Sequence, residues 1–150
     1  MSEDGIWSKP EVGTPQGAVA SPLLANVFLH SVFHLWVEKW RKASARGDVI
    51  VVRYADDFVM GFQHKHEAEA FLKALHERLE RFGLALHPDK TRLIEFGRFA
   101  ARNRKSQGLG KPEIFNFLGF SQICGIKQWS RGFIVKRVTM AKRMTAKLKA

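Results

Sequence analysis

Cysteine is almost absent: Cys124 is the one thiol in 150 residues. A disulfide framework within the chain is therefore excluded, and a reducing, cytoplasmic setting is expected. Glycine follows no three-residue repeat and apolar residues keep no sustained heptad, which rules out collagen-like and coiled-coil rods. The opening, Met1-Ser2-Glu3-Asp4-Gly5, is acidic and polar where a secretory leader needs a basic start and an apolar run, so no leader is expected. The longest uncharged stretch, residues 12–37, is broken by Gln16, Ser21, Pro22, Asn26, His30, Ser31 and His34. It fails as a bilayer span, which takes about 20 mainly apolar residues, and no membrane partner is expected.

Acidic side chains are also missing from one region. Residues 1–98 carry 13 basic and 13 acidic side chains, whereas residues 99–150 carry 12 basic ones and only Glu113, so the whole net charge of +11 lies in the last third. A solvated basic face is the plain reading of such a run. The stronger one is a polyanionic partner, because cations on a nucleic-acid backbone release counterions and bind in a salt-dependent way. With 45% hydrophobic and 26% charged residues the chain is not disordered, and its length suits one compact domain.

The patterns along the chain predict an α+β domain built on antiparallel strands. Ser21-Pro22 reads as a cap and first helical position, opening a helix to about Trp40 with Leu24, Val27, Phe28 and Leu35 buried. His30 and His34 have the i, i+4 spacing of a metal pair but no evident third ligand, and read as partly buried polar residues. Val49-Ile50-Val51-Val52 and Phe58-Val59-Met60-Gly61-Phe62 predict a hairpin with an acidic pair at its turn. Helical spacing over residues 65–82 stops at Gly83, and Leu84, Leu86 and residues 92–96 suggest a return strand. Residues 97–112 read as a polar, basic loop, residues 114–120 and 133–135 as further strands, and residues 138–149 as a helix.

Asp56 and Asp57 are the residues with the clearest chemistry. Asp is common in turns because it caps backbone N–H groups, and that reading suffices for an arbitrary pair. Here apolar runs on both sides fix the two carboxylates at one end of a sheet, where adjacent negative charges are costly unless a hard cation neutralises them. Magnesium suits that role, and a pair of such ions about 4 Å apart serves nucleotidyl transfer. Arg53 and Tyr54 alternate in direction, so one packs and the other is free to touch nucleic acid.

Tyr54-Ala55-Asp56-Asp57 resembles the Tyr-x-Asp-Asp box of reverse transcriptases. Three more blocks accompany it in order: Gly13-Thr14-Pro15-Gln16-Gly17 with Ser21-Pro22-Leu23-Leu24-Ala25-Asn26, then residues 83–91, then Phe117-Leu118-Gly119-Phe120. Together they resemble the palm domain of group II intron-encoded reverse transcriptases, also called maturases. The resemblance spans nearly the whole chain and implies a partial palm over residues 1–135, with an antiparallel sheet packed by helices, and the start of a basic thumb helix over residues 136–150.

What it implies in function is RNA-directed DNA polymerisation: deoxynucleoside triphosphates added to a DNA primer on an RNA template, intron RNA in particular, with Mg2+ held by Asp56 and Asp57. Gln16, Gly17, Tyr54 and Ala55 would lie against the incoming nucleotide and primer end. Lys90 would protonate or screen the departing pyrophosphate, although as a residue alone it is equally an exposed cation. Phe117, Leu118 and Gly119 correspond to the family's primer grip, with core packing an equal explanation for the phenylalanine. Lys136, Arg137, Lys142 and Arg143, with most other cations after residue 99, would contact phosphates. Trp129 and Phe133 are candidates for stacking on bases or sugars, with hydrophobic anchoring of a hairpin the preferred reading.

The sequence departs from the family at Ala18 and Ala20, where a glycine and a larger aliphatic residue are usual. The family's fingers and the aspartate of its first palm strand have no counterpart among these residues. The resemblance therefore leaves two expectations: a polymerase piece that needs a second chain or a longer protein to act, or a non-catalytic RNA-binding remnant.

Overall fold

Phe33, Phe58 and Phe71 come from three different elements and meet in the core of the first of two units into which the chain divides, Met1–His87 and Pro88–Ala150. The structure, a computed structural model, describes residues 21–140. In the first unit, helix α1 (Ser21–Leu29) runs through a π-helical turn (His30–His34) into α2 (Leu35–Ser44). Strands β1 (Val49–Tyr54) and β2 (Asp57–Phe62) form the expected antiparallel hairpin, and α3 (Lys65–Glu80) follows.

Val32, Phe33 and Val37 on one side and Phe71, Leu75 and Leu79 on the other are buried, with Val51, Phe58, Met60 and Phe62 of the hairpin packed against them. The rings of Phe33 and Phe58 are 4.7 Å apart, and those of Phe62 and Phe71 5.3 Å. Each such side chain contributes roughly 1.5–3 kcal/mol on burial.

The helix buries a different face from the one its periodicity predicts. Leu24, Val27, Phe28 and Leu35 are exposed, Leu24 to 54%, and no residue of α1 is buried. The π-helical turn inserts extra backbone and rephases the side chains beyond it. Periodicity also names the residues that share a face without naming what covers them. His34 is half-buried and His30 exposed, their rings stacked at 5.9 Å.

Helix α3 stops as its sequence requires. Gly83 takes φ +67°, which costs glycine nothing, and lets Leu84 N–H donate to the Leu79 carbonyl and Gly83 N–H to that of Glu80. These two bonds satisfy carbonyls the helix leaves open. No return strand forms: Leu84 and Leu86 pack on the core as irregular chain, and β1–β2 stays two-stranded among the described residues.

The second unit holds α4 (Ala100–Ser106) and an antiparallel sheet in the order β3 (Phe115–Phe117), β4 (Phe120–Ile126), β5 (Phe133–Thr139). The stretch expected to be a loop is thus partly helical. Asn103 Nδ2 donates to Glu95 Oε1 at 2.8 Å, and Arg104 reaches both Glu113 and the Gly110 carbonyl. The same capping device as in α3 closes the helix at Gly108. Residues 92–96 are irregular, and β5 takes in residues 136–139, the start of the expected thumb helix, while Met140 is irregular. The rest of that expected helix, residues 141–150, lies outside the described residues.

Candidate functional site

Pleating divides the hairpin into two faces. Val49, Val51 and Arg53 point with Phe58, Met60 and Phe62 to the core side, while Ile50, Val52 and Tyr54 share the outer side with Asp57 and Val59. Tyr54 pairs with Asp57 across the strands, leaving Ala55 and Asp56 as a two-residue turn. Tyr54 is 65% exposed, so of the two alternating residues it is Arg53 that turns inward.

Ala55 has φ +53°, while Asp56 stays out of that region. Glycine is the usual residue at the first central position of such a turn, and an L side chain there costs about 1–2 kcal/mol. Arg53 holds the strained residue in place: its Nη1 donates to the Ala55 carbonyl at 2.6 Å and to Asn26 Oδ1 at 3.0 Å. Asn26 is oriented in turn by donating from Nδ2 to the Pro22 carbonyl at 3.0 Å. Helix α1 and the acidic turn are thus joined by one guanidinium, whose Nε is buried without a partner among the described residues. This link was not read from the sequence. Its signal was present, as the one charge of β1, at a position whose inward neighbours, Val49 and Val51, are aliphatic.

Asp56 and Asp57 are exposed, and neither side chain makes a hydrogen bond or ion pair among the described residues. Two adjacent carboxylates without competing partners fit a hard, oxygen-seeking cation such as magnesium. Among the described residues no group of three His, Cys, Asp or Glu side chains gathers to hold a metal ion.

The remaining residues expected at the site fall in three places. Gln16, Gly17, Lys142 and Arg143 lie outside the described residues. Lys90 is exposed on irregular chain near the start of the second unit. Phe117 and Phe120 pair across a tight turn whose central residues, Leu118 and Gly119, have φ +50° and +82°. Both values are those of a type I′ hairpin turn. Met140 N–H donates to the Gly119 carbonyl at 3.2 Å, fixing the end of β5 beside that turn. Lys136 and Arg137 are exposed on β5.

Not every cation expected to meet phosphate is free to do so. Arg104 is largely covered and pairs with Glu113 at 3.4 Å, and Arg92 pairs with the same carboxylate. Arg102 lies over the Phe99 ring at 5.0 Å. Glu113, the lone acid of the basic region, is therefore spent on internal order rather than on the exposed face. Trp129, weighed above as a hairpin anchor, is 98% exposed at the β4–β5 tip and anchors nothing.

Among the described residues no helix is long and apolar enough to cross a membrane. A family model described as reverse transcriptase (RNA-dependent DNA polymerase) matches residues 2–122. No curated protein and no solved structure matches the chain.

Proposed function

Since the chain belongs to the reverse transcriptase family, a match that takes in the acidic hairpin and the Leu118–Gly119 turn, we propose that it is the palm portion of an RNA-directed DNA polymerase of the group II intron type. The observation that carries this reading is the placement of Asp56 and Asp57. They are neighbours where the turn that Arg53 braces meets the first residue of β2, and their carboxylates are exposed and without partners among the described residues.

Asp56 and Asp57 would hold Mg2+, which supplies the charge that activates a primer 3′-hydroxyl and stabilises departing pyrophosphate. The protein's own residues do the positioning. The Tyr54 ring, on the same face as Asp57, offers a flat surface to a nucleotide, and Ala55 leaves room beside the carboxylates for a primer end. By the family resemblance Gln16, Gly17 and Lys90 attend the incoming triphosphate, and Phe117, Leu118 and Gly119 approach the primer. Lys136, Arg137, Lys142 and Arg143 supply sequence-independent phosphate contacts, with intron RNA as the template that the resemblance favours.

Manganese titration, followed by paramagnetic broadening of backbone amide signals, tests the reading. Broadening is expected to centre on residues 54–58 and to disappear in Asp56→Asn/Asp57→Asn. Broadening spread over unrelated carboxylates, or unchanged in the double variant, would remove the chemical basis for polymerisation. A second reading, RNA binding without polymerisation, is favoured by the exposed Lys136 and Arg137, which need no metal site to meet phosphate. It predicts no manganese focus at the hairpin and RNA binding indifferent to Asp56→Asn.

A further inference from the structure

The tip of the β4–β5 hairpin combines Lys136, already a phosphate contact in the palm reading, with features that reading does not use. Lys127 N–H donates to the Gly132 carbonyl at 2.8 Å and closes a four-residue loop of Gln128, Trp129, Ser130 and Arg131. Within it Arg131 takes φ +48°, a conformation usually left to glycine or asparagine. Trp129 is the most exposed large apolar side chain among the described residues, at 98%. Beside it lies an open cleft of about 470 Å³ whose lining includes Ile134, Lys127 and Lys136.

Cations at this tip are uncompensated. Lys127, Arg131 and Lys136 form no ion pair among the described residues, and Glu113 is already shared by Arg92 and Arg104. The Lys136 stem runs over Gly125, where an added Cβ would lie 2.8 Å from Lys136 Cε, so its ammonium is carried along the sheet rather than packed into it. An aromatic face set among three unpaired cations is the composition of a stacking platform for single strands. The indole takes a base of any identity, and the cations follow the backbone. An anionic membrane would also attract the charge. However, one indole on a short hairpin buries little apolar surface compared with the helices that bind at membrane interfaces.

We propose that residues 127–132 are a docking platform for single-stranded nucleic acid, with a base stacked on Trp129 and neighbouring phosphates met by Lys127, Arg131 and Lys136. The seven residues of β4 separate this platform from the Leu118–Gly119 turn by about 20 Å at about 3.3 Å per residue. It is therefore a contact additional to the primer-grip-like turn at the other end of the same strands. The proposal rests on the palm reading only in taking nucleic acid as the partner.

Fluorescence anisotropy with a labelled oligouridylate of about ten nucleotides, on the full 150-residue chain, tests it. Because the indole touches almost nothing, Trp129→Ala should melt with the wild type. It should bind the oligomer roughly five- to a hundred-fold more weakly, with Trp129→Phe restoring most of the affinity. The salt dependence should be unchanged in Trp129→Ala but shallower by about one phosphate contact in Lys127→Gln.

Wild-type affinity in Trp129→Ala, or no oligouridylate binding by the wild type, would overturn the platform. So would Trp129-dependent capture by phosphatidylserine vesicles without Trp129-dependent RNA binding. Loss of the manganese focus at Asp56 and Asp57 with Trp129-dependent binding intact would instead remove the polymerase reading and leave the platform standing.

Discussion

The Arg53 guanidinium lies 2.6 Å from the Ala55 carbonyl oxygen, so the last inward-facing side chain of β1 grips the strained residue of the turn that follows it. Its second bond, to Asn26, ties that turn to α1. The acidic pair is thereby positioned through contacts made by its neighbours.

Arg53→Met should release the turn. The loss of charge-assisted hydrogen bonds on a half-buried guanidinium is expected to cost about 1–3 kcal/mol, read as a lower urea midpoint. Amide exchange at Asp56 and Asp57 should quicken, and unchanged exchange would show that the brace is incidental. Ala55→Gly should act oppositely, gaining about 0.5–1 kcal/mol as strain is relieved against glycine's added chain entropy.

Glu67 gives the first unit an acid-sensitive joint. Its side chain, on a residue 4% exposed, accepts from Arg46 N–H at 2.7 Å and Gly47 N–H at 3.2 Å, fastening the α2–β1 connection to α3. The Arg46 bond is the chief reason its pKa falls below the ordinary 4.5, opposed by burial and assisted by Gly47, His64 and His66. A carboxylate lowered on folding stabilises fully above its unfolded value and loses that contribution as pH drops through the folded one. Stability should therefore decline below about pH 4.5, and Glu67→Gln should flatten the decline while lowering stability at neutral pH. Urea midpoints measured across pH 3–7 decide the matter.

Leu75→Ala empties the best-covered position of the core and should cost about 2–5 kcal/mol. Leu24→Ala, which sequence periodicity would rank beside it, should change stability by no more than about 0.5 kcal/mol, because Leu24 faces solvent. Equal losses in thermal melts would contradict the assigned core.

Within the basic region, Lys136→Gln and Arg137→Gln should each reduce RNA affinity and the steepness of its salt dependence by about one contact. Arg104→Gln should leave the salt slope alone and instead lower stability by about 1 kcal/mol, since its guanidinium is committed to Glu113 and the Gly110 carbonyl. Binding isotherms at several salt concentrations separate the two classes.

Much of this was legible because short-range rules governed it. The hairpin around Asp56 and Asp57 followed from alternation broken by a turn, and the end of α3 from Gly83. The errors arose where distant partners decide. Leu24 and Val27 carry a helical stripe but meet no covering element among the described residues, while the π-helical turn brings Val32 and Phe33 inward. Residues 100–106 looked like loop because their charges were counted without Glu95 and Glu113, which bind Asn103 and Arg104. Arg53 alternated as expected, but only Asn26, 27 positions earlier in the chain, shows what its inward direction is for.

The bond from Met140 N–H to the Gly119 carbonyl closes the ladder at one end, where Thr139 also faces Phe120. Met140, the last described residue, thus sits beside the Leu118–Gly119 turn. A pull on Met140 away from β4 would peel β5 off one rung at a time, beginning with that bond, instead of shearing all seven rungs together. Tension from downstream would reach Gly119 before any other part of the sheet, making the turn the first place to register a mechanical load.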